Sequence, residues 1–171
     1  MKKRTEVVVI LAILLAVSAF AQTTQCFLYI SNGGSANISA YTINPRTGAL
    51  TEVNGSPFPA GRTPVGIAVD PTGKFLYVAN QGSDNISAYT INTGTGALSA
   101  LGGSPFTAGM VPQEMAVDPT GKFLYVADNG SNNISAYAIN PNTGDLSAVG
   151  GSPFAAGRVP RGAAIAAVTG P

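Results

Sequence analysis

The sequence predicts an all-β protein assembled from repeated four-stranded antiparallel units. Three observations carry this. The stretch from Asp70 to Asn92 returns 48 residues later, as Asp118 to Asn140, and most of it stands earlier as Phe27 to Asn44. Each copy consists of short apolar runs separated by Gly, Pro, Asn and Ser, the punctuation of strands and turns. Only 10% of the residues are charged while 45% are hydrophobic, a balance suited to a packed core and not to a disordered chain.

The first 21 residues belong to a different pattern. Lys2, Lys3 and Arg4 precede an apolar run from Val7 to Phe20 broken by a single Ser, and Ala19-Phe20-Ala21 supplies small residues around a cleavage point before Gln22. That is the layout of a secretory signal peptide, and it predicts an exported, periplasmic or secreted, protein. The run of 14 residues is shorter than the roughly 20 that span a bilayer, so no stable membrane span remains after cleavage. Residues 22–26 form a short leader. Cys26 is the sole cysteine, which rules out a disulfide within the chain and reads as a free thiol. Beyond residue 21, six basic residues face seven acidic ones in a scattered arrangement. Nothing resembles a basic stripe, so nucleic acid is not an expected partner.

From Phe27 the period runs without a gap, giving repeats at 27–74, 75–122 and 123–170. Each carries four strand signals. The first is Phe27 to Ile30, with Phe75 to Val78 and Phe123 to Val126. The second is Ile38 to Ile43, with Ile86 to Ile91 and Ile134 to Ile139; it alternates apolar with small polar residues. The third is Leu50 to Val53, with Leu98 to Leu101 and Leu146 to Val149. The fourth is Gly66 to Val69, with Glu114 to Val117 and Ala163 to Val168.

The connections follow from turn chemistry. In Asp70-Pro71-Thr72-Gly73, Pro presets φ for a type I turn, Asp accepts the following amides and Gly takes the left-handed position, closing a hairpin onto the next repeat. Asn44-Pro45-Arg46-Thr47-Gly48 and Asn140-Pro141-Asn142-Thr143-Gly144 work in the same way. Asn92-Thr93-Gly94-Thr95-Gly96 has lost its Pro, which predicts a looser turn. The Gly-Ser-Pro-Phe segments contain Pro and read as crossings outside the ladders, with Phe58, Phe106 and Phe154 plugging gaps between sheets.

Four short strands in 48 residues is the size of a β-propeller blade. Phe-Leu-Tyr-Val-Ala is apolar on both faces, and only blades stacked face to face bury such a strand. With the small-residue strand ending at Asp-Pro innermost, the chain starts at the second strand of a blade. Two complete blades follow, and then an orphan innermost strand from Arg161 to Thr169 that is able to complete a first blade lacking one. Three blades do not close a ring, since propellers have about four to eight. The alternatives are two copies closing a six-bladed ring by exchanging that strand, a fragment of a larger propeller, or an open arc.

At Pro-Thr-Gly-Lys-Phe-Leu-Tyr-Val-Ala-Asn (residues 71–80) the sequence resembles the bacterial lactonase family of β-propellers, of the 6-phosphogluconolactonase and cycloisomerase type, and the related Tyr-Val-Thr-Asn repeat propellers of exported proteins. The resemblance covers residues 27–170. It implies a seven-bladed fold and hydrolysis of a sugar-type lactone. The residues themselves add that the chain holds no His, which excludes a Ser-His-Asp triad and His-ligated metal. No metal site or cofactor is expected.

Sites on repeats sit where the repeats differ. Arg62, Met110 and Arg158 share one position before the innermost strand. Val65-Gly66, Gln113-Glu114 and Arg161-Gly162 share its start. Asn80 to Asn85 and its counterparts join the first and second strands. Propeller geometry places all three groups at one mouth of the channel. Glu114 is the candidate general base and Arg161 the candidate oxyanion partner, with Arg62, Gln113 and Arg158 as candidate ligand contacts for an anionic lactone or carbohydrate. The competing reading is a non-catalytic exported propeller that serves as a ligand-binding, protein-binding or assembly module, with these groups as solvated rim charges.

Overall fold

The computed structural model describes residues 25–168; the segment read as a signal peptide and the start of the leader lie outside the described residues. Within that range there are fourteen strands and no helix. The first blade comprises β1 (Cys26–Asn32), β2 (Asn37–Ile43), β3 (Leu50–Glu52) and β4 (Phe58–Pro59). The second comprises β5 (Pro64–Val69), β6 (Phe75–Asn80), β7 (Asn85–Ile91), β8 (Leu98–Ala100) and β9 (Phe106–Thr107). The third repeats it as β10 (Pro112–Val117), β11 (Phe123–Asp128), β12 (Asn133–Ile139), β13 (Leu146–Ala148) and β14 (Phe154–Ala155). Sheet order is β5-β6-β7-β8 and β10-β11-β12-β13, antiparallel throughout, and β1-β2-β3 in the first blade. The described residues keep the phase read from the sequence: the first described strand, β1, takes the place that β6 and β11 hold as second strands of their blades, and no described strand pairs with its other edge.

Two elements differ from expectation. The Gly-Ser-Pro-Phe segments are not plain crossings, because β4, β9 and β14 each pair with the start of the blade's second long strand, as in Ile38 opposite Phe58. A two-residue edge ladder tolerates Pro59, whose missing amide points away from the sheet. Phe58 and Phe106 pack against the interblade cores as expected, whereas Phe154 remains exposed. The second difference is the expected strand at Ala163 to Val168, which is not in a sheet. Its counterparts β5 and β10 are strands because β6 and β11 lie beside them, and among the described residues no such partner strand pairs with residues 161–168.

The turns are built as the sequence dictates. Asp70 Oδ1 accepts from the amides of Lys74 (2.8 Å) and Phe75 (2.7 Å), Oδ2 accepts from the Thr72 amide (3.0 Å) and hydroxyl, and Gly73 sits at φ +70°. The Asn92 turn is no looser than its relatives. Asn92 Oδ1 accepts from Gly94 and Thr95 amides at 3.0 and 3.1 Å, and the Gly96 amide closes the turn on the Asn92 carbonyl at 2.7 Å. The Asn side chain, not the Pro, fixes this turn.

Burial lies between blades. Every residue of β6 is buried. Leu76 and Val78 join Tyr29, Ile38 and Val53 of the first blade, while Phe75, Tyr77 and Ala79 join Leu124, Val126 and Ile139 of the third. Each large side chain removed from water in this way contributes about 1.5–3 kcal/mol. Two hydrogen bonds recur at each joint. Tyr29 and Tyr77 hydroxyls donate to the Gly96 and Gly144 carbonyls of the following blade (2.9 and 2.8 Å). Tyr89 and Tyr137 hydroxyls reach back to the Pro59 and Thr107 carbonyls, both over 2.6 Å.

Candidate functional site

The mouth is framed by the crossing that leads into each innermost strand. In the second blade this crossing is zipped to the loop between the first and second long strands. The Gln81 and Gly82 amides donate to the Thr63 and Arg62 carbonyls, each at 3.0 Å, and the Arg62 amide donates to Ser83 Oγ at 2.7 Å. The third blade repeats the zipper: the Asn129 and Gly130 amides bond to Val111 and Met110 carbonyls, and the Met110 amide to Ser131 Oγ. The backbones of Arg62 and Met110 are thereby fixed while both side chains stay exposed.

Each crossing ends on a residue in the left-handed region: Thr63 (φ 48°), Val111 (φ 55°) and Val159 (φ 60°). Such angles are costly for β-branched residues and are kept only where surroundings enforce them. Here Asp84 Oδ1 accepts from the Val111 amide and Asn132 Oδ1 from the Val159 amide, both at 2.7 Å.

The structure brings Glu114 and Arg161 together. The Glu114 amide donates to the Arg161 carbonyl at 3.2 Å, so the start of β10 lies against the segment after Pro160. Both side chains are exposed, Gln113 is half-buried, and Arg158 stands three residues earlier on the same segment. Arg62 lies one blade away, and among the described residues no hydrogen bond links its side chain to Glu114. On that side the blades approach closely instead: a Cβ on Gly66 would lie 2.1 Å from the Gln113 carbonyl oxygen. A groove runs between the third blade and residues 160–166, lined by Phe123, Tyr125 and Ile134. The mouth residues stand on an open rim.

Sequence reasoning placed the polar residue that opens each loop between the first and second long strands among the mouth groups but missed that it is buried beneath the crossing. Asn32, Asn80 and Asp128 end the first long strands, and the last two are fully buried. Asn80 Nδ2 donates to Asn85 Oδ1 and Ser87 Oγ, both at 2.8 Å, while its Oδ1 accepts from the Gly61 amide. In the third blade Asp128 takes that place and accepts from Ser135 Oγ at 2.6 Å. Burial pushes the Asp128 carboxyl above the ordinary aspartate range, against the opposing hydrogen bond from Ser135. The signal was legible as one repeat position holding Asn, Asn and Asp, but strand-end polar residues read as turn formers when burial is unknown. Among the described residues no group of three His, Cys, Asp or Glu is placed to hold a metal ion.

Comparison with known proteins agrees with this architecture. The chain matches the family described as Lactonase, 7-bladed beta-propeller, over residues 17–106 and 101–159. No curated protein matches the sequence. Among solved structures, a candidate 6-phosphogluconolactonase from Bacteroides uniformis superimposes with a TM-score of 0.70 at 26% identity, over 78% of this chain and 38% of that one. Its counterpart from Bacteroides fragilis gives 0.69 at 23% identity, over 76% and 36%. The periplasmic gluconolactonase PpgL of Pseudomonas aeruginosa gives 0.69 at 18% identity, over 80% and 38%. The chain thus spans less than two-fifths of the length of each.

Proposed function

Because the chain belongs to the lactonase family of seven-bladed β-propellers, we propose that it is an exported hydrolase of a sugar-type lactone, working at the channel mouth. The observation that supports the reading is the main-chain hydrogen bond from the Glu114 amide to the Arg161 carbonyl, which brings the two backbones together on the rim while both side chains stay exposed. In the proposed reaction Glu114 takes a proton from water as its oxygen bonds to the lactone carbonyl carbon. Arg161 faces the oxygen that becomes negative. Collapse of the adduct breaks the ring C–O bond, and the alkoxide so released takes the proton back from Glu114, leaving a hydroxy acid. Arg62, Gln113 and Arg158 hold the sugar hydroxyls and any anionic group. Export is supported by the basic start, apolar run and small residues of positions 1–21. Two copies complete the ring in this reading, so that the rim closes into a mouth.

The test is hydrolysis of a panel of aldonolactones, with and without a phosphate, by the purified chain beside Glu114→Gln. Loss of rate in the variant supports the hydrolase. Equal background rates for both turn the reading to its alternative, a non-catalytic binding module. That alternative is favoured by one observation: the sequence offers no His for proton transfer.

A further inference from the structure

We propose that residues Pro160–Ile165 form the missing innermost strand of the first blade in a second copy of this chain, pairing in register with β1. The inference rests on the two-copy reading above and specifies its joint.

The segment already has the entry geometry of an innermost strand. Val159 holds the same left-handed backbone as Thr63 and Val111, which lead into β5 and β10. Its amide bonds to Asn132 Oδ1 as that of Val111 bonds to Asp84 Oδ1. The Pro160 carbonyl accepts from Asn129 Nδ2 at 3.3 Å and the Arg161 carbonyl from Glu114. Everything that launches the strand is present, and what is absent from the described residues is a neighbour for its ladder. The complementary gap is the edge of β1 with which no described strand pairs. By the 48-residue repeat, the pairs Ile67–Val78, Ala68–Tyr77 and Val69–Leu76 become Ala163–Ile30, Ala164–Tyr29 and Ile165–Leu28.

The flanking packing is split in the same way. At the two joints inside the chain, Phe27 and Phe75 press on Gly96 and Gly144, where a Cβ would lie 2.4 Å from the ring, and the neighbouring Tyr29 and Tyr77 donate to those glycine carbonyls. The third joint has its halves at opposite ends. Phe123 is 36% exposed where Phe75 is 5% exposed, and Gly48 has open space beside it. Placing the first blade of a second copy on the third blade seats Phe123 on Gly48 and gives the Tyr125 hydroxyl the Gly48 carbonyl. A head-to-tail joint of this kind closes when two copies complete the circle.

Residues 16–21 of the same chain stand at the same repeat phase and are the competing occupant. They carry Ala16 where the innermost strands carry Pro64 and Pro112, both fully buried, and where the C-terminal segment carries Pro160.

The test uses the full chain, its N-terminus read by intact mass and its size by light scattering. It is joined by Cys26→Ser variants that add Ile30→Cys with Ala163→Cys, or Ile30→Cys with Ala164→Cys. The proposal expects a dimer, a covalent dimer under mild oxidation only for the 30–163 pair, and a folded monomer for Phe123→Glu. A dimer that cross-links equally through both pairs, or through neither, overturns the strand exchange and leaves the two-copy reading standing. A monomer, with or without residues 16–21, overturns both.

Discussion

Asp128 and Asn133 face each other across β11 and β12, and each buries a carboxylate or amide Oδ1 without a hydrogen-bond partner. In the preceding blade the same two positions are Asn80 and Asn85, joined by an amide donor and a carbonyl acceptor. Substituting a carboxylate for the donor leaves two acceptors opposed, and burial raises the Asp128 pKa accordingly. A protonated Asp128 supplies the missing donor.

The pH dependence follows. The folded chain binds this proton more tightly than the unfolded chain. The stabilisation is therefore complete below the ordinary aspartate value of 3.8 and is lost as pH rises through the raised one. Asp128→Asn restores the amide and is expected to stabilise the protein by about 1–3 kcal/mol at neutral pH, with little gain at pH 3. Urea denaturation across pH 3–8 measures both.

Asp84→Ala removes the acceptor of the Val111 amide, and it also places Ala at a left-handed position (φ 51°). The expected cost is about 2–4 kcal/mol. Asp84→Asn should stay within about 0.5 kcal/mol, since Asn132 does the same work for Val159 one repeat later. Thermal and urea melts of the two variants separate the hydrogen bond from the charge.

Gly48 and Gly144 occupy the same turn at φ +71° and +77°, yet only Gly144 has an aromatic ring against it. Gly48→Ala should cost about 1–2 kcal/mol, the left-handed penalty alone. Gly144→Ala should cost about 1–3 kcal/mol more, because Phe75 must move. Measuring both in the Phe123→Glu background isolates interblade packing from any contact between copies.

Burial pushes the Tyr29 hydroxyl up to about 12 and raises Tyr77 further, where burial is joined by the charges of Asp70 and Asp145. Stability from these neutral hydroxyls is intact below the unfolded value of 10 and declines as pH climbs toward 12. Unfolding by alkali is expected in that window. Tyr29→Phe with Tyr77→Phe should flatten the decline while lowering stability at pH 7 by about 1 kcal/mol for each lost hydrogen bond.

Much of this was legible from spacing. The repeat at 48 residues and the two-faced Phe-Leu-Tyr-Val-Ala strand dictate stacked blades, and Asp70 and Asn44 dictate their turns. Side chains that act across blades were not legible. Nothing local to Tyr77 points to Gly144, 67 residues away, and nothing local to Asn80 reveals that it is buried under a crossing. The expected strand at Ala163 to Val168 failed for a related reason: strand formation depends on a neighbour, and apolar residues alone do not supply one. Of the rim residues, Glu114 and Arg161 fall together through a backbone contact that no motif encodes.

The placement of β6 in both interblade cores bears on how the molecule comes apart. Each blade leans on its successor, so stability behaves as a sum over nearest-neighbour couplings. Within a single copy the middle blade holds two such couplings and each outer blade holds one. In the Phe123→Glu background, where copies are kept apart, amide exchange should be slowest in β6 and β7 and faster toward both ends, and a defect at Leu76 or Tyr77 should loosen sheets that contain neither residue.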